Sequence, residues 1–409
     1  MKSYFIAFLL LVSYYSSGQI FGCTDPQSTN YNPQATINDG SCNYTVTTAP
    51  VTQLALLPNS INETSGLIKW NNHFITHNDN DDSKLYLLDT ISGSVVGSYE
   101  LPVQNNDWEE ISQDQDYIYI GDIGNNSHGN RTDLKIIKVG KQSLLLNQPE
   151  IETITFAYQD QSDFSPAAAN TTDFDCEAFF VTSKFIYLFT KEWTSKRTSI
   201  HRISNTAGSH LTEKIGTWNV QGLVTGATYI ADKKLVALSG YSALLQPFVA
   251  LMYDFKDEDF LSGNKRKINI PLAFHQIEGI TTSNGLKFYL TNERIAQPAY
   301  LTIPAKLHSL DLSSAIGSYI DPASLQVNEH PIQDDAPIVF HDPVRQTIEI
   351  HVGRQYVGAR YALCDLRGRR IIEKTIQSEV TTIPAHNYGK GIYELHLYSQ
   401  KIFTVKLAI

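Results

Sequence analysis

The chain has 409 residues, 42% hydrophobic and 11% aromatic, enough for one large all-β domain or two to three ordinary ones. Its formal net charge is −10 and no Lys/Arg block interrupts it, which argues against nucleic acid and anionic membrane surfaces as partners. Tyr is abundant at 22 and Met scarce at 2, and a chain rich in Tyr, Thr and Ile favours strands.

The first residues, MKSYFIAFLLLVSYYSSGQ, set Lys2 ahead of an apolar run that ends near Tyr15, followed by Ser16, Ser17 and Gly18. This is the pattern of a secretory signal peptide, residues 1–18, too short for a comfortable membrane span. Cleavage is expected near Gly18–Gln19. No later segment has the length and apolarity of a span, so a secreted or outer-surface location is expected. IFGC loosely resembles a lipidation site at Cys23, but Phe21 fits that pattern badly.

Residues 19–50 form an Asp/Asn-rich module. Within it, GCTDPQSTNYNPQATINDGSCNY (22–44) brackets a polar loop with Cys23 and Cys42. Such a loop cannot build an apolar core, and export favours a disulfide between the two cysteines. Closing a loop of this length contributes roughly 3 kcal/mol in the chain-entropy model. Asp25, Asn30, Asn32, Asn38 and Asp39 are hard oxygen donors of the kind Ca²⁺ accepts. The competing reading is that they make turns. The stretch resembles a short repeat of secreted Bacteroidetes proteins, GCTDPxAxNYNPxAxxDDGSCxY, with Asn38 in place of the first Asp of DDGSC.

Residues 51–312 repeat. Five phrases align, beginning at Thr64, Trp108, Cys176, Val224 and Ile277, each reading strand, turn, strand, loop, strand. A further alternating run follows four of them: GSVVGSYEL, IETITFAY, EKIGTWNV and KRKINIPL. The fifth lacks one, and VTQLALL at 51–57 stands free before the first phrase. A β-propeller whose N-terminal strand completes the last blade accounts for both facts and leaves no free sheet edge. Five blades are counted; a sixth could occupy 140–172 or 313–336.

Aligned column by column, the first strand carries Ser65, Glu109, Glu177, Thr225 and Glu278. Glu110 falls in the next column, where other copies have Gly or Ala. The second strand ends at His77 or Asn78, Asp122, Lys191, Ser239 and Asn292. In a propeller the first strand lines the central channel. Glu109, Asp122, Glu177, Glu278 and Asn292 are therefore the candidate metal ligands, because converging carboxylates need a cation or shared protons. Ca²⁺ is the expected ion, with ordered water as the alternative filling. HNDNDD (77–82) offers more oxygens but reads as a solvated turn.

Three functions stand against each other. The first is a binding propeller for a small molecule or glycan, with a cation at the channel. The second is a metal-dependent hydrolase: the SGL…HND, DWEE…IGDIGNN and EGI…TNER phrases resemble secreted propellers grouped with esterase-like phytases and gluconolactonase-type lactonases. That resemblance implies channel carboxylates and a metal that polarise a lactone, ester or phosphate. The phosphate-holding basic set such sites need is thin, with only Lys191 and Arg294 near the ring, and no catalytic residue is assigned. The third is an adhesion protein using Trp193, Tyr241 or Tyr300 for sugar stacking. Trp108 and Trp193 are expected to pack between blades, and Cys176 to be a buried structural thiol.

Residues 313–336 read as a linker. The tail, 337–409, carries HDPVRQTIEIHV, RYALCDLRGRRIIEKTI and TTIPAHNYGKGIYELHLYSQKIFTVKLAI, six or seven short strands of a small β-sandwich. DPV, DLRGRRI, GKGIYELHL and the final FTVKLAI resemble the type A C-terminal sorting domain of the Bacteroidetes type IX secretion system. The resemblance implies the type IX machinery and a sorting peptidase as partners. Cys364 is expected to be a small buried hydrophobe.

Overall fold

The computed structural model describes residues 19–321 and 337–408, apart from 81, 298–300, 343–345, 353, 366–367, 390 and 400–401. The leader at 1–18, Tyr300 and most of the expected linker lie outside the described residues. Two compact units divide near residue 325. Among the described residues no helix is long and apolar enough to cross a membrane.

The first unit is built from five sheets of the same design. Their first strands are Thr64–Trp70, Trp108–Gln113, Cys176–Val181, Leu223–Ile230 and Ile277–Thr282. Each pairs antiparallel with the strand that follows, and two further strands complete each four-strand set; the outer strands of the second and third sets, Ile151–Tyr158 and Gly208–Trp218, also pair in parallel and join these two edge to edge. In the fifth sheet the last place is taken by Val51–Leu56, paired antiparallel with Lys306–Asp311. The first strands neighbour one another in chain order, and the fifth returns to pack beside the first. The ring is closed by the N-terminal segment, the architecture of a β-propeller. In the two stretches considered for another sheet, the described residues form helices at Lys141–Leu145 and Ser313–Ile320 and complete the second sheet with Ile151–Tyr158.

One buried apolar cluster fills each junction between neighbouring sheets. Ile75, Trp108 and Ile120 join the first to the second. Tyr119, Phe156 and Phe179 join the second to the third. Phe180, Phe189 and Phe248 join the third to the fourth, Leu251, Phe288 and Leu310 the fourth to the fifth, and Phe74, Leu67 and Leu307 the fifth to the first. The run YIYI at 117–120 follows from this. Ile118 and Ile120 point into one junction and Tyr119 into the next, so a strand apolar on both faces is needed. Burying each such side chain contributes about 1.5–3 kcal/mol.

The stretch expected as a linker, 313–336, begins with a helix. Ser313–Ile320 is a helix whose Ala315, Ile316 and Ile320 belong to the cluster between the fourth and fifth sheets. Those spacings put the three apolar residues on one helical face.

The N-terminal module carries the Cys23–Cys42 disulfide and packs on the fourth sheet. Thr47–Thr48 extends that sheet in parallel with Ile268 and Asn269. Its polar side chains make turns. Asp25, Asn32, Asn38 and Asp39 each accept a hydrogen bond from the backbone N–H two residues on, at 2.9–3.0 Å. The second oxygen of Asp25 accepts from the hydroxyls of Tyr44 and Tyr253. Asn38 donates to Asp254 and Asn264, which explains an amide here: a carboxylate would face Asp254.

Among its described residues the second unit holds seven strands in two antiparallel sheets. Ile338–Asp342, Thr347–His351 and Val380–Pro384 form one; Arg370–Thr375, Arg360–Asp365, Ile392–Tyr398 and Ile402–Ala408 form the other. Ile348, Ile350 and Ile383 from one sheet meet Leu363, Leu395 and Leu397 from the other in a shared core. Cys364 is buried.

Candidate functional site

The candidate site begins with a break in strand pairing. In the second sheet Glu110 pairs with Gly121 and Trp108 with Asp122, so Glu109 is skipped. The same irregularity skips Glu177 in the third sheet, Thr225 in the fourth and Glu278 in the fifth. All five first strands carry such a β-bulge near their start; in the first sheet it falls just after the aligned column, between Ser65 and Ile68. A bulge turns its extra residue out of the regular alternation, a common device beside binding sites. The aligned acidic column of the sequence is therefore the bulge column.

Glu109, Glu177 and Glu278 converge on a cavity of about 220 Å³ at this end of the ring. Asp79, Asp107 and Glu293 line it too, so six carboxyl groups face one ammonium, that of Lys191. Lys191 is buried, pairs with Glu177, and sits 4.8 Å from the Trp193 ring and 5.2 Å from that of Tyr241. The Trp193 indole N–H donates to Asp175 at 2.8 Å, which fixes this wall. Gly124 makes room for the acids: a Cβ there would lie 2.2 Å from Glu109 Oε1 and 2.3 Å from Asp107 Oδ2.

Two of the five expected ligands are elsewhere. Asp122 is fully buried and pairs with Arg131 at 2.7 Å and Lys135 at 2.8 Å, facing the third strand of its own sheet. Asn292 shares a hydrogen bond with His308 at 2.8 Å, again on the third strand, and donates to the carbonyls of Glu293 and Pro304. Side chains alternate along a strand, so the cavity is reached one position later. Paired residues Asn78, Asp122, Thr190, Gly240 and Asn292 are followed by Asp79, Ile123, Lys191, Tyr241 and Glu293. Four of these five line the cavity. Lys191 thus belongs to the column after Asp122, and Tyr241 is a buried wall rather than an exposed loop residue.

Asp79 and Glu293 were missed for that one-residue offset, although each directly follows an Asn of the aligned column. HNDNDD is only partly a turn: Asp82 accepts from Asn78, Lys84 and Tyr86, while Asp79 enters the cavity. One carboxylate oxygen each from Glu63, Asp79 and Glu293 lies within 4.8 Å of the others. Glu278 is 5% exposed, and its Oε2 has no hydrogen-bond partner.

Burial and crowding raise the pKa of these groups. Burial first, then Glu63 and Asp107, pushes Asp79 up to about 7. Burial likewise pushes Glu278 up to about 7 against the opposing pull of Lys191, and Asp107 up to about 6. Glu109, Glu177 and Glu293 are shifted upward for the same leading reason. Burial disfavours the Lys191 ammonium, but Glu177, Tyr241 and Glu278 outweigh it and raise its pKa. Charge is therefore balanced unevenly: Lys191 serves the Glu177 side, while Asp79 and Glu293 stand on the other.

Below the acidic cavity the channel is crossed by Glu110, which is wholly buried. Its Oε1 accepts from the Ile111 N–H at 2.9 Å and its Oε2 from the Ala227 N–H at 2.5 Å, tying the second sheet to the fourth. Gly66 permits this, since a Cβ there would meet Glu110 Oε1 at 2.9 Å and its φ is +62°. The small residues of the Glu110 column are the space that one glutamate fills.

No family model matches this chain, and no curated protein does. Similar solved structures include PorZ, an essential surface component of the type IX secretion system of Porphyromonas gingivalis, at 11% identity and TM-score 0.31 over 84% of this chain and 44% of that one. The α-L-arabinofuranosidase PaAbf62A of Podospora anserina is similar at 8% identity and TM-score 0.39, over 65% and 96%. The β-propeller domain of Myceliophthora thermophila Cps50 (Swd1) is similar at 8% identity and TM-score 0.30, over 87% and 99%. The chain spans under half the length of PorZ. Likeness this low carries no functional argument, and the propeller stands on its strand pairing.

Proposed function

We propose that the chain is an exported, five-bladed propeller that binds a hard divalent cation, Ca²⁺ first, in its acidic cavity and uses that face to hold a ligand. The observation that carries this is the Glu63, Asp79 and Glu293 oxygen triplet within 4.8 Å, beside the unpartnered buried Oε2 of Glu278. Two oxygens on one Ca²⁺ stand at most roughly 4.6–5.2 Å apart, twice the usual Ca²⁺–O distance. The triplet lies within the span that one Ca²⁺ allows. The expected metal set therefore changes: Asp79, Glu293 and Glu278 with Glu63 replace Asp122 and Asn292, and Glu109 and Glu177 line the remaining wall. Export rests on the apolar leader, the disulfide and the C-terminal seven-strand unit, which we assign as a sandwich that delivers the chain through the type IX machinery.

The test is a Ca²⁺ titration of chelator-stripped protein, by calorimetry and thermal unfolding. Saturation at about 100 times Kd should stabilise the fold by about 2.7 kcal/mol. Asp79→Asn with Glu293→Gln should abolish the effect. No binding heat and an unchanged melting temperature would refute the reading.

A metal-assisted hydrolase is the second reading. It is favoured by two carboxyls, half-buried Asp107 and buried Glu278, pushed up to about 6 and about 7 beside a fixed ammonium, as a general acid or base is. A screen of lactones, aryl esters and phosphomonoesters that finds turnover lost in Glu278→Gln would establish it.

A further inference from the structure

The other end of the ring has a second cavity, of about 260 Å³, to which all five first strands contribute. Its chemistry is unlike that of the acidic end. No Asp, Glu, His or Cys lines it, and its one charged residue, Lys69, is exposed. A metal ion finds no ligand set here, and a phosphate would meet a single solvated ammonium.

What the cavity offers is hydroxyl groups. Ser112, Thr228 and Thr281 come from three different strands and face it together. Ser112 and Thr281 are only 8% and 6% exposed. Among the described residues, no side-chain hydrogen bond engages any of the three hydroxyls. A hydroxyl can both donate and accept, so three at different angles suit a partner that does the same. One wall is aromatic: half-buried Tyr229, backed by the buried Phe180 ring at 4.8 Å and 30°. The volume is below the roughly 300–1,000 Å³ of pockets for drug-sized ligands, so it admits one ring rather than a chain. The Glu110 bridge closes its inner end, so a ligand here cannot pass through to the acidic cavity.

We propose that this cavity is a second binding site, for a single sugar ring: a neutral ligand whose hydroxyls pair with Ser112, Thr228 and Thr281 and whose C–H face packs on the aromatic wall. It is independent of the cation site, and the two can fail separately.

The experiment is saturation-transfer NMR on the full chain with methyl glycosides of the common hexoses, pentoses and N-acetylhexosamines. At least one glycoside should bind, and Thr281→Val with Ser112→Ala should weaken it tenfold or more. Thr228→Val, at a half-exposed position, repeats the test should the double variant fold poorly. Glu278→Gln should leave the affinity unchanged. Competition by an oligosaccharide ending in the same ring assigns the natural source to a glycan terminus; its failure to compete assigns it to a free sugar, and either supports the site. No glycoside binding, affinity indifferent to the hydroxyl substitutions, or affinity lost in Glu278→Gln would overturn the proposal.

Discussion

The two ends of the channel are made by the same five strands, two or three residues apart in sequence, yet they differ in almost every chemical respect. One end gathers six carboxyls around one ammonium; the other gathers unengaged hydroxyls over an aromatic wall. The acidic end lies at the bulges and the strand-to-loop step, where side chains leave the regular alternation. The hydroxyl end lies within regular pairing. A repeated scaffold thus separates two chemistries by a local change of strand geometry, with Glu110 as the partition.

The sharpest way to break this contrast is to remove the one ammonium. Lys191→Met leaves Glu177 buried without its partner and should cost about 3–5 kcal/mol in urea unfolding. Adding Glu177→Gln should restore most of that, while glycoside binding at the other end stays as it was. Full loss of stability in the double variant would mean that Lys191 acts through packing alone.

Next in size is pH. Asp79 and Glu278, ordinarily near 3.8 and 4.5, are raised to about 7 by burial, so protonation favours the folded state. Their stabilising effect is complete below about 4 and is lost as pH rises through 7. Chelated protein should therefore lose on the order of 2 kcal/mol between pH 5 and pH 8. Asp79→Asn with Glu278→Gln should flatten that slope. A slope equal in wild type and variant would place the titrating groups elsewhere.

The smallest effect should come from Gly124→Ala. The added methyl meets two carboxylate ends that can turn aside, so about 1 kcal/mol is expected. The same methyl should weaken Ca²⁺ binding, because it displaces Glu109 and Asp107. Unchanged Ca²⁺ affinity would mean that this wall does not bear on the ion.

Much of the first unit was legible. The five phrases and the stray run at 51–57 foretold both the ring and its closure, since a blade cannot bury its apolar faces alone and must repeat. That Glu109, Glu177 and Glu278 share a cavity was legible because they repeat in register. Asp122 and Asn292 were misassigned because alternation makes a one-residue offset reverse the side on which a residue points. Asp79 and Glu293 stood one position away, Asp79 within the HNDNDD stretch that reads as a solvated turn. Ser112, Thr228 and Thr281 gave no signal, because isolated Ser and Thr are ordinary strand residues.

By itself, then, the sequence determined the repeat, the apolar runs that become strands, the paired cysteines and the excess of acid. These follow from local chemistry and from periodicity, which a linear chain carries in full. Which acids share a cavity, that Asp122 pairs instead with Arg131 and Lys135 and Asn292 with His308, and where a lone glutamate bars the channel were decided only by tertiary structure. Bulges and ring closure bring residues from distant strands within a hydrogen bond of each other, as with Glu110 and Ala227, and no linear pattern encodes that distance.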